Sequence, residues 1–169
     1  MNGIKTMQAR FLQASSGGDY AEGTLTLSRP GKMRIEYDPP VQQLIVADGT
    51  WLIYHDKELE QMTHLPLGST PADILVQDNL SLLGDDPVIT HINRGKLVIA
   101  LTVARQESDG ESLTFIFSDK PLALKKWVVA DAQGARTSVS LLNTRFGIAV
   151  DEGLFHLRLL QPKNRESNK

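Results

Sequence analysis

The chain contains no cysteine, so disulfide bonds, iron–sulfur ligation and cysteine nucleophiles are all excluded. Long apolar runs are also missing. The longest stretches, such as Leu44 to Ala47 and Leu97 to Val103, are far shorter than the roughly 20 residues that a membrane-spanning helix needs. The net charge is only −2, and no basic run is interleaved with aromatic residues. We therefore expect no nucleic-acid partner.

The motifs of the common catalytic sites are missing too. The sequence has no nucleophile elbow, no phosphate-binding glycine loop, no zinc-protease helix motif and no dinucleotide fingerprint. Its four histidines do not have metal-ligand spacing, and His55 and His64 are predicted to be surface or half-buried residues of neighbouring strands. We expect a protein that is not an enzyme, with no catalytic residue, no metal and no cofactor.

What the sequence does contain is β patterning, first seen between Gly23 and Thr63. Apolar Leu25 and Leu27 alternate with polar residues, and the next position on that face is Arg29. After a turn signal, the alternation resumes. An arginine that ends the apolar face of a strand is unfavourable unless its hydrogen bonds are accepted. The sequence therefore predicts an acceptor for Arg29.

Three short helices are predicted. The apolar spacing of Ile4 to Ala14 fits an amphipathic helix. Thr70 and Pro71 form a typical helix start, followed by the apolar residues 74–76. A further apolar piece runs from Asn79 to Leu83. The last two helices are too short to be stable alone, so we expect both to pack on another element.

Strands account for the rest, separated by turn signals, and the polar residues 161–169 are expected to fray. The predicted strands after the helices are Val88 to Ile92, Leu97 to Ala104, Leu113 to Phe117, Leu122 to Ala130, Arg136 to Asn143 and Leu154 to Leu159. Helices inserted into such a meander argue against a parallel sheet. We predict one mainly β domain over residues 1–169, built as a curved antiparallel sheet of about 10–11 strands.

Two predicted strands are apolar on both faces. Leu44 and Val46 alternate with Ile45 and Ala47, and residues 51–56 follow the same pattern. Either both faces of the sheet are covered as in an ordinary core, or one face lines a cavity. The pattern alone leaves both interpretations open, whereas the small amount of helical material favours the cavity.

The same residues carry a resemblance to a known family. The segments R-P-x-x-M-R-x-x-Y from Arg29, V-A-D-G from Val46, W-L-I-Y from Trp51 and E-Q-M-T from Glu60 occur in the order and spacing of the periplasmic outer-membrane lipoprotein carriers, the LolA family. The chain resembles that family over about residues 7–160.

The resemblance implies an incomplete antiparallel β-barrel whose apolar cavity is closed by lid helices. It implies a periplasmic protein, its leader removed, that shields the acyl chains of lipoproteins between the inner and outer membranes. The expected partners are acylated lipoproteins, an inner-membrane ABC transporter that releases them, and an outer-membrane acceptor, either a lipid-anchored protein or the membrane itself. We expect a monomer.

The resemblance also implies a site. Arg29 corresponds to the family's lid latch, an arginine that points into the cavity and bonds to the lid. The predicted lipid-binding residues are Leu25, Leu27, Met33, Ile35, Ile45, Ile53, Ile74, Leu75, Leu80 and Leu83. In the empty protein, the lid leucines would occupy the cavity and would yield it to acyl chains.

This chain departs from the family pattern at several points. Met33 and Ile35 stand where the family has aromatic residues, the N-terminal helix is short, and the extended C-terminal segment linked to directional transfer is missing after Phe155. Alternatives to a lipoprotein carrier are a sensor or interaction domain of the same fold, a carrier of another amphiphilic lipid, and a small β-barrel hydrolase.

Overall fold

Eleven strands form a single sheet in the computed structural model, which describes residues 5–70, 72–77, 88–104 and 110–157. The strands are β1 (Thr6–Ser15), β2 (Tyr20–Ser28), β3 (Lys32–Tyr37), β4 (Gln43–Asp48), β5 (Trp51–Asp56), β6 (Gln61–Pro66), β7 (Val88–Arg94), β8 (Val98–Ala104), β9 (Ser112–Asp119), β10 (Leu122–Ala130) and β11 (Arg136–Phe146). The helical elements are a 3-10 turn at Leu67–Ser69, helix α1 (Ala72–Val76) and a C-terminal 3-10 turn at Glu152–Phe155.

The sheet is antiparallel throughout, and its strands follow the order β6-β5-β4-β3-β2-β1-β11-β10-β9-β8-β7. Strand β1 lies in the middle, where it pairs with both β2 and β11. Helix α1 falls between β6 and β7 in the chain, the two strands at the edges of the sheet. The predicted fold class, a curved antiparallel sheet with a minor helical part, is confirmed.

Alternation along the strands gives the sheet two different faces. We call the face that packs on α1 the inner face and the opposite one the outer face. The inner face carries the large hydrophobic cluster, which continues from β1 and β2 through β9 and β10 and includes Met7, Leu25, Met33, Phe115 and Trp127. Its neighbours along each strand are mostly polar or charged residues that point to the outer face.

The outer face of β4 and β5 is covered by the C-terminal 3-10 turn. Phe155 is fully buried there, in a second cluster that includes Val46 and Ile53. Arg34 Nη1 donates to the carbonyl oxygen of Leu154 over 2.9 Å and anchors the turn to β3. Both faces of these strands are therefore covered, which accounts for their two-sided apolar pattern.

The predicted N-terminal helix is wrong, because residues 6–15 form strand β1. Met7 and Phe11 are buried in either conformation. Ala9 distinguishes the two conformations, because it is buried as well. The buried residues Met7, Ala9 and Phe11 are therefore two positions apart, as in a strand, rather than three or four, as in a helix. Pairing on both sides outweighed the local helical pattern.

The strand predicted for Leu154 to Leu159 is also wrong within the part of the chain that is described. Asp151 Oδ1 accepts a hydrogen bond from the Gly153 amide at 2.9 Å and begins a 3-10 turn there. Strand β6 was predicted only indirectly, through the expectation that His55 and His64 lie on neighbouring strands, and its pairing with β5 confirms that expectation. Helix α1 forms where Thr70 and Pro71 predicted it, while the helix predicted for Asn79 to Leu83 lies outside the described residues.

Candidate functional site

Helix α1, which we call the lid, is five residues long and strongly apolar. Ile74, Leu75 and Val76 are all buried in the large cluster on the inner face. A helix of this length has almost no stability of its own in water. Its position therefore depends on the burial of these three side chains against the sheet.

Two hydrogen bonds join the lid backbone to the segment that follows β2. Arg29 Nε donates to the Leu75 carbonyl oxygen at 2.9 Å, and the Gly31 amide donates to the Val76 carbonyl oxygen at 2.8 Å. Arg29 is the next inner-face position after Leu27, so the strand itself aims its side chain at the lid. The expected acceptor of Arg29 is present, and the role of Arg29 as a latch stays a prediction.

A small apolar cavity remains between the lid and the sheet. It is lined by Met7, Leu25, Leu27, Arg29, Met33, Leu75, Leu124 and Trp127. Its volume is about 10 Å³, which is roughly the space for a single water molecule. An acyl chain would not fit without displacement of the lid. Among the described residues, the protein's own side chains therefore fill most of the space between the lid and the sheet.

Most of the predicted lipid-binding residues meet on the inner face. Leu25, Leu27, Met33, Ile35, Ile45, Ile74 and Leu75 all belong to the large cluster or pack against it. Leu80 and Leu83 lie outside the described residues. That these side chains bind lipid stays a prediction.

Ile53 does not join them. It pairs with Val46, and both side chains pack on the outer face with Phe155 and the C-terminal turn. Its neighbour Leu52 takes the inner position opposite Ala47. Since a one-residue difference in register exchanges the two faces of a strand, the two adjacent apolar residues were easily confused.

Three cavity residues were not predicted from the sequence. Met7 was assigned to a helix. Leu124 and Trp127 lie on β10, where a register shift between Leu124 and Lys126 changes which residues face inward. Simple alternation from Trp127 would place Lys125 inside, and only the shift brings Leu124 to the inner face.

Charge is almost absent from the inner face of the first half of the sheet. Among the charged side chains of β1–β6, only Asp56 has an inner-face position, and the others, such as Arg34 and Glu36, alternate outward. Burial raises the pKa of Tyr37, whose hydroxyl donates to Gln13 Oε1 at 2.7 Å. The inner face of β1–β6 is therefore apolar, with a few neutral polar groups and the Asp56 carboxylate at the far end of β5.

The described residues contain no group of acidic or histidine side chains that could hold a metal ion. No helix in the same part of the chain has the length and apolar character needed to cross a membrane.

Together, the fold and the site define a class of proteins in which an open curved sheet and a short lid enclose an apolar cavity. A family model described as outer membrane lipoprotein carrier protein LolA matches residues 2–158. The chain belongs to this family.

Several relatives named outer-membrane lipoprotein carrier protein support that assignment. The one from Azotobacter vinelandii is 28% identical, and the match spans 92% of this chain and 78% of the relative. The one from Legionella pneumophila strain Paris is 31% identical over 94% and 81%. The one from Methylibium petroleiphilum is 35% identical over 81% and 71%.

Solved structures agree on the fold. A LolA superfamily protein from Nitrosomonas europaea superposes with a TM-score of 0.52 at 10% identity, and the match covers 90% of both chains. A conserved protein from Thermus thermophilus gives a TM-score of 0.55 at 11% identity, over 96% of this chain and 89% of that one. At such low sequence identity, these structures support the assignment of the fold and nothing beyond it.

Proposed function

We propose that this protein is a periplasmic carrier, which shields the acyl chains of lipoproteins and moves them from the inner to the outer membrane. The observation that carries the proposal is the closed apolar cavity beneath the lid, in a chain that belongs to the lipoprotein carrier family. An inner-membrane transporter would load the protein, and an acceptor at the outer membrane would receive the cargo.

The physical need for such a carrier is large. Each methylene group that leaves an apolar environment for water costs about 0.8 kcal/mol, so an acyl chain needs cover in an aqueous compartment. The inner face supplies that cover from side chains such as Leu27 and Met33. Met33 is unbranched and flexible, which suits a wall that must adapt to different chains.

Release requires that the cargo is not held too tightly. In the empty protein, Ile74 and Leu75 fill the space that an acyl chain would take, so lid and cargo compete for the same surface. The hydrogen bonds from Arg29 and Gly31 to the lid add to the closed state. Loading therefore depends on the difference between two similar free energies, and either state can be favoured by a partner.

The first test is Met33→Glu. A carboxylate at the centre of the inner face should abolish binding of a fluorescent acyl probe, because its charge cannot be solvated beside an acyl chain. The measurement is a fluorescence titration, with circular dichroism to verify the sheet. Leu142→Glu is the matched control, since Leu142 is half-exposed on β11, and it should bind the probe like the parent.

A second variant keeps the test decisive if Met33→Glu does not fold. Ile35 is only half-buried on the same wall, so Ile35→Gln should fold and should weaken probe binding severalfold. Unchanged binding in a folded Met33→Glu or Ile35→Gln variant would place the acyl site elsewhere and refute the proposal.

A further inference from the structure

With increasing distance from the lid, the side chains on the inner face change from apolar to polar. The row beside the lid is apolar, with Leu27, Met33, Ala47 and Leu52 side by side. The next row ends in Tyr54 and Thr63. The row after that contains Gln43, Asp56 and Gln61. The apolar wall therefore becomes polar at the far ends of β4, β5 and β6.

These polar residues lie at a recess of about 230 Å³ that is open to solvent; its lining consists of Gln43, Leu44, Ile45, Tyr54, His55, Asp56, Gln61 and Thr63. Its volume lies below the range of roughly 300–1,000 Å³ that is typical for pockets of drug-sized ligands. It therefore suits a small polar group better than a whole acyl chain. Ile45 lines the recess and also packs against the large apolar cluster, so the recess continues directly from the acyl wall.

The recess offers neutral hydrogen-bonding groups. Within the described residues, the side chains of Gln43, Tyr54, Gln61 and Thr63 make no hydrogen bond to other groups of the protein, so their donors and acceptors are available. Asp56 is engaged differently. Its Oδ1 accepts from the amides of Glu58 and Leu59, each at 3.0 Å, and so closes the turn after β5.

The recess is also without a strong cation. No lysine or arginine lines it, and the nearby Lys57 ammonium is 3.8 Å from a Glu36 oxygen, a residue of the outer face. His55 and Leu44, whose neighbours pack on the outer face, also line the recess at the strand ends, and His55 Nδ1 is buried there without a hydrogen-bond partner among the described residues. A phosphate group in the recess would meet the Asp56 carboxylate and no lysine or arginine, which is unfavourable.

We propose that this recess binds the uncharged polar linkage of the cargo, that is, the ester and amide groups that join acyl chains to the lipoprotein's first residue. The inference rests on the proposed function and adds a specificity to it. The acyl chains lie against the inner face beneath the lid. The neutral carbonyl groups accept hydrogen bonds from Gln43, Gln61 and the hydroxyl groups of Tyr54 and Thr63. Lipids with a phosphate group in the same place bind less tightly.

The test uses the whole protein and three neutral or charged probes. Diphenylhexatriene, which has no polar group, reports on the apolar wall alone. It is then displaced by a short-chain diacylglycerol or by the phosphatidic acid with the same acyl chains. We expect the parent protein to bind the diacylglycerol more tightly than the phosphatidic acid.

The double variant Gln43→Leu/Gln61→Leu should lower the affinity for diacylglycerol by about tenfold, since it removes two neutral hydrogen-bonding groups. Its affinity for diphenylhexatriene should stay within about twofold of the parent's, because the apolar rows are unchanged. Gln42→Leu is the matched control: Gln42 is exposed next to Gln43 and is not a residue of the recess, so both affinities should be unchanged.

Asp56→Asn tests the exclusion of phosphate. Asparagine keeps the oxygen that closes the turn but not the charge, so the affinity for phosphatidic acid should rise severalfold. If diphenylhexatriene and diacylglycerol bind the parent, but the double variant keeps the parent's affinity for diacylglycerol and Asp56→Asn keeps its affinity for phosphatidic acid, the recess assignment is wrong. The carrier proposal stands in that case. If the parent binds neither probe, the carrier proposal itself fails, and this inference fails with it.

Discussion

Arg29 directly follows strand β2, and its hydrogen bond to the Leu75 carbonyl oxygen in the lid predicts the effect of its removal. Hydrogen bonds from charged donors contribute roughly 1.5–3 kcal/mol. Without this bond the closed state is less favoured, so Arg29→Leu should bind a fluorescent acyl probe more tightly and release it about tenfold more slowly. Stopped-flow dissociation into excess unlabelled lipid measures the release.

The exposed Arg136 at the start of β11 provides the control, because Arg136→Leu makes the same chemical change away from the lid and should leave release unchanged. Faster release from the Arg29→Leu variant than from the parent would contradict the latch.

Gly23 is a second residue whose identity is dictated by its neighbours. A Cβ atom there would lie 2.2 Å from the Glu36 carbonyl oxygen and 2.7 Å from the Phe11 ring. Backbone cannot move aside as a flexible side chain can, so Gly23→Ala should destabilise the protein by about 1–3 kcal/mol in urea unfolding. Gly68→Ala, where the new methyl group meets nothing within 4 Å, should change the stability by less than about 0.5 kcal/mol.

At the scale of elements, the C-terminal 3-10 turn and the lid cover opposite faces of one sheet. Phe155→Ala should cost about 3–5 kcal/mol of unfolding free energy, because the ring is fully buried on the outer face. The affinity for an acyl probe should stay at the parent's value under conditions where the variant is folded, since the inner face is untouched.

His156→Ala, one residue further and exposed, should change neither stability nor binding. A loss of acyl binding by folded Phe155→Ala would show that the two faces are coupled, contrary to this expectation.

The sequence predicted these elements unevenly, and the reasons are physical. Strands with clean alternation and turn signals, such as β2, β3 and β4, were found, as was the Thr70–Pro71 helix start. Strand β1 was missed because Met7 and Phe11 also fit a helix, and only pairing with β2 and β11 decides between the two.

The candidate site was predicted where it depends on local pattern and missed where it depends on register. Arg29 was found because a charge on an apolar face is conspicuous in one strand. Ile53 was placed on the wrong face, and Leu124 was overlooked, because strand pairing and a register shift set their directions. The direction of these side chains depends on how neighbouring strands pair, so it cannot be predicted from the sequence of one strand alone.

At the scale of the whole molecule, loading should separate the lid from the sheet while the sheet itself persists. The Gly31 amide donates to the Val76 carbonyl oxygen in the lid, whereas the Asp38 amide donates to Glu22 within the sheet region. Saturation with an acyl ligand should therefore speed hydrogen exchange at Gly31 and leave Asp38 unchanged, as measured by NMR. Equal or greater protection of Gly31 in the loaded protein would contradict lid opening.

The cavity of about 10 Å³ beneath the lid has a consequence for attempts to engineer this protein. Filling internal space is a common way to raise thermal stability, yet here the packed interior and the binding surface are the same side chains. Each improvement in the fit of Leu75 against Met33 and Leu27 would strengthen the competitor of the cargo. A heat-resistant variant obtained in this way would carry less, so thermostability should instead be sought on the outer face.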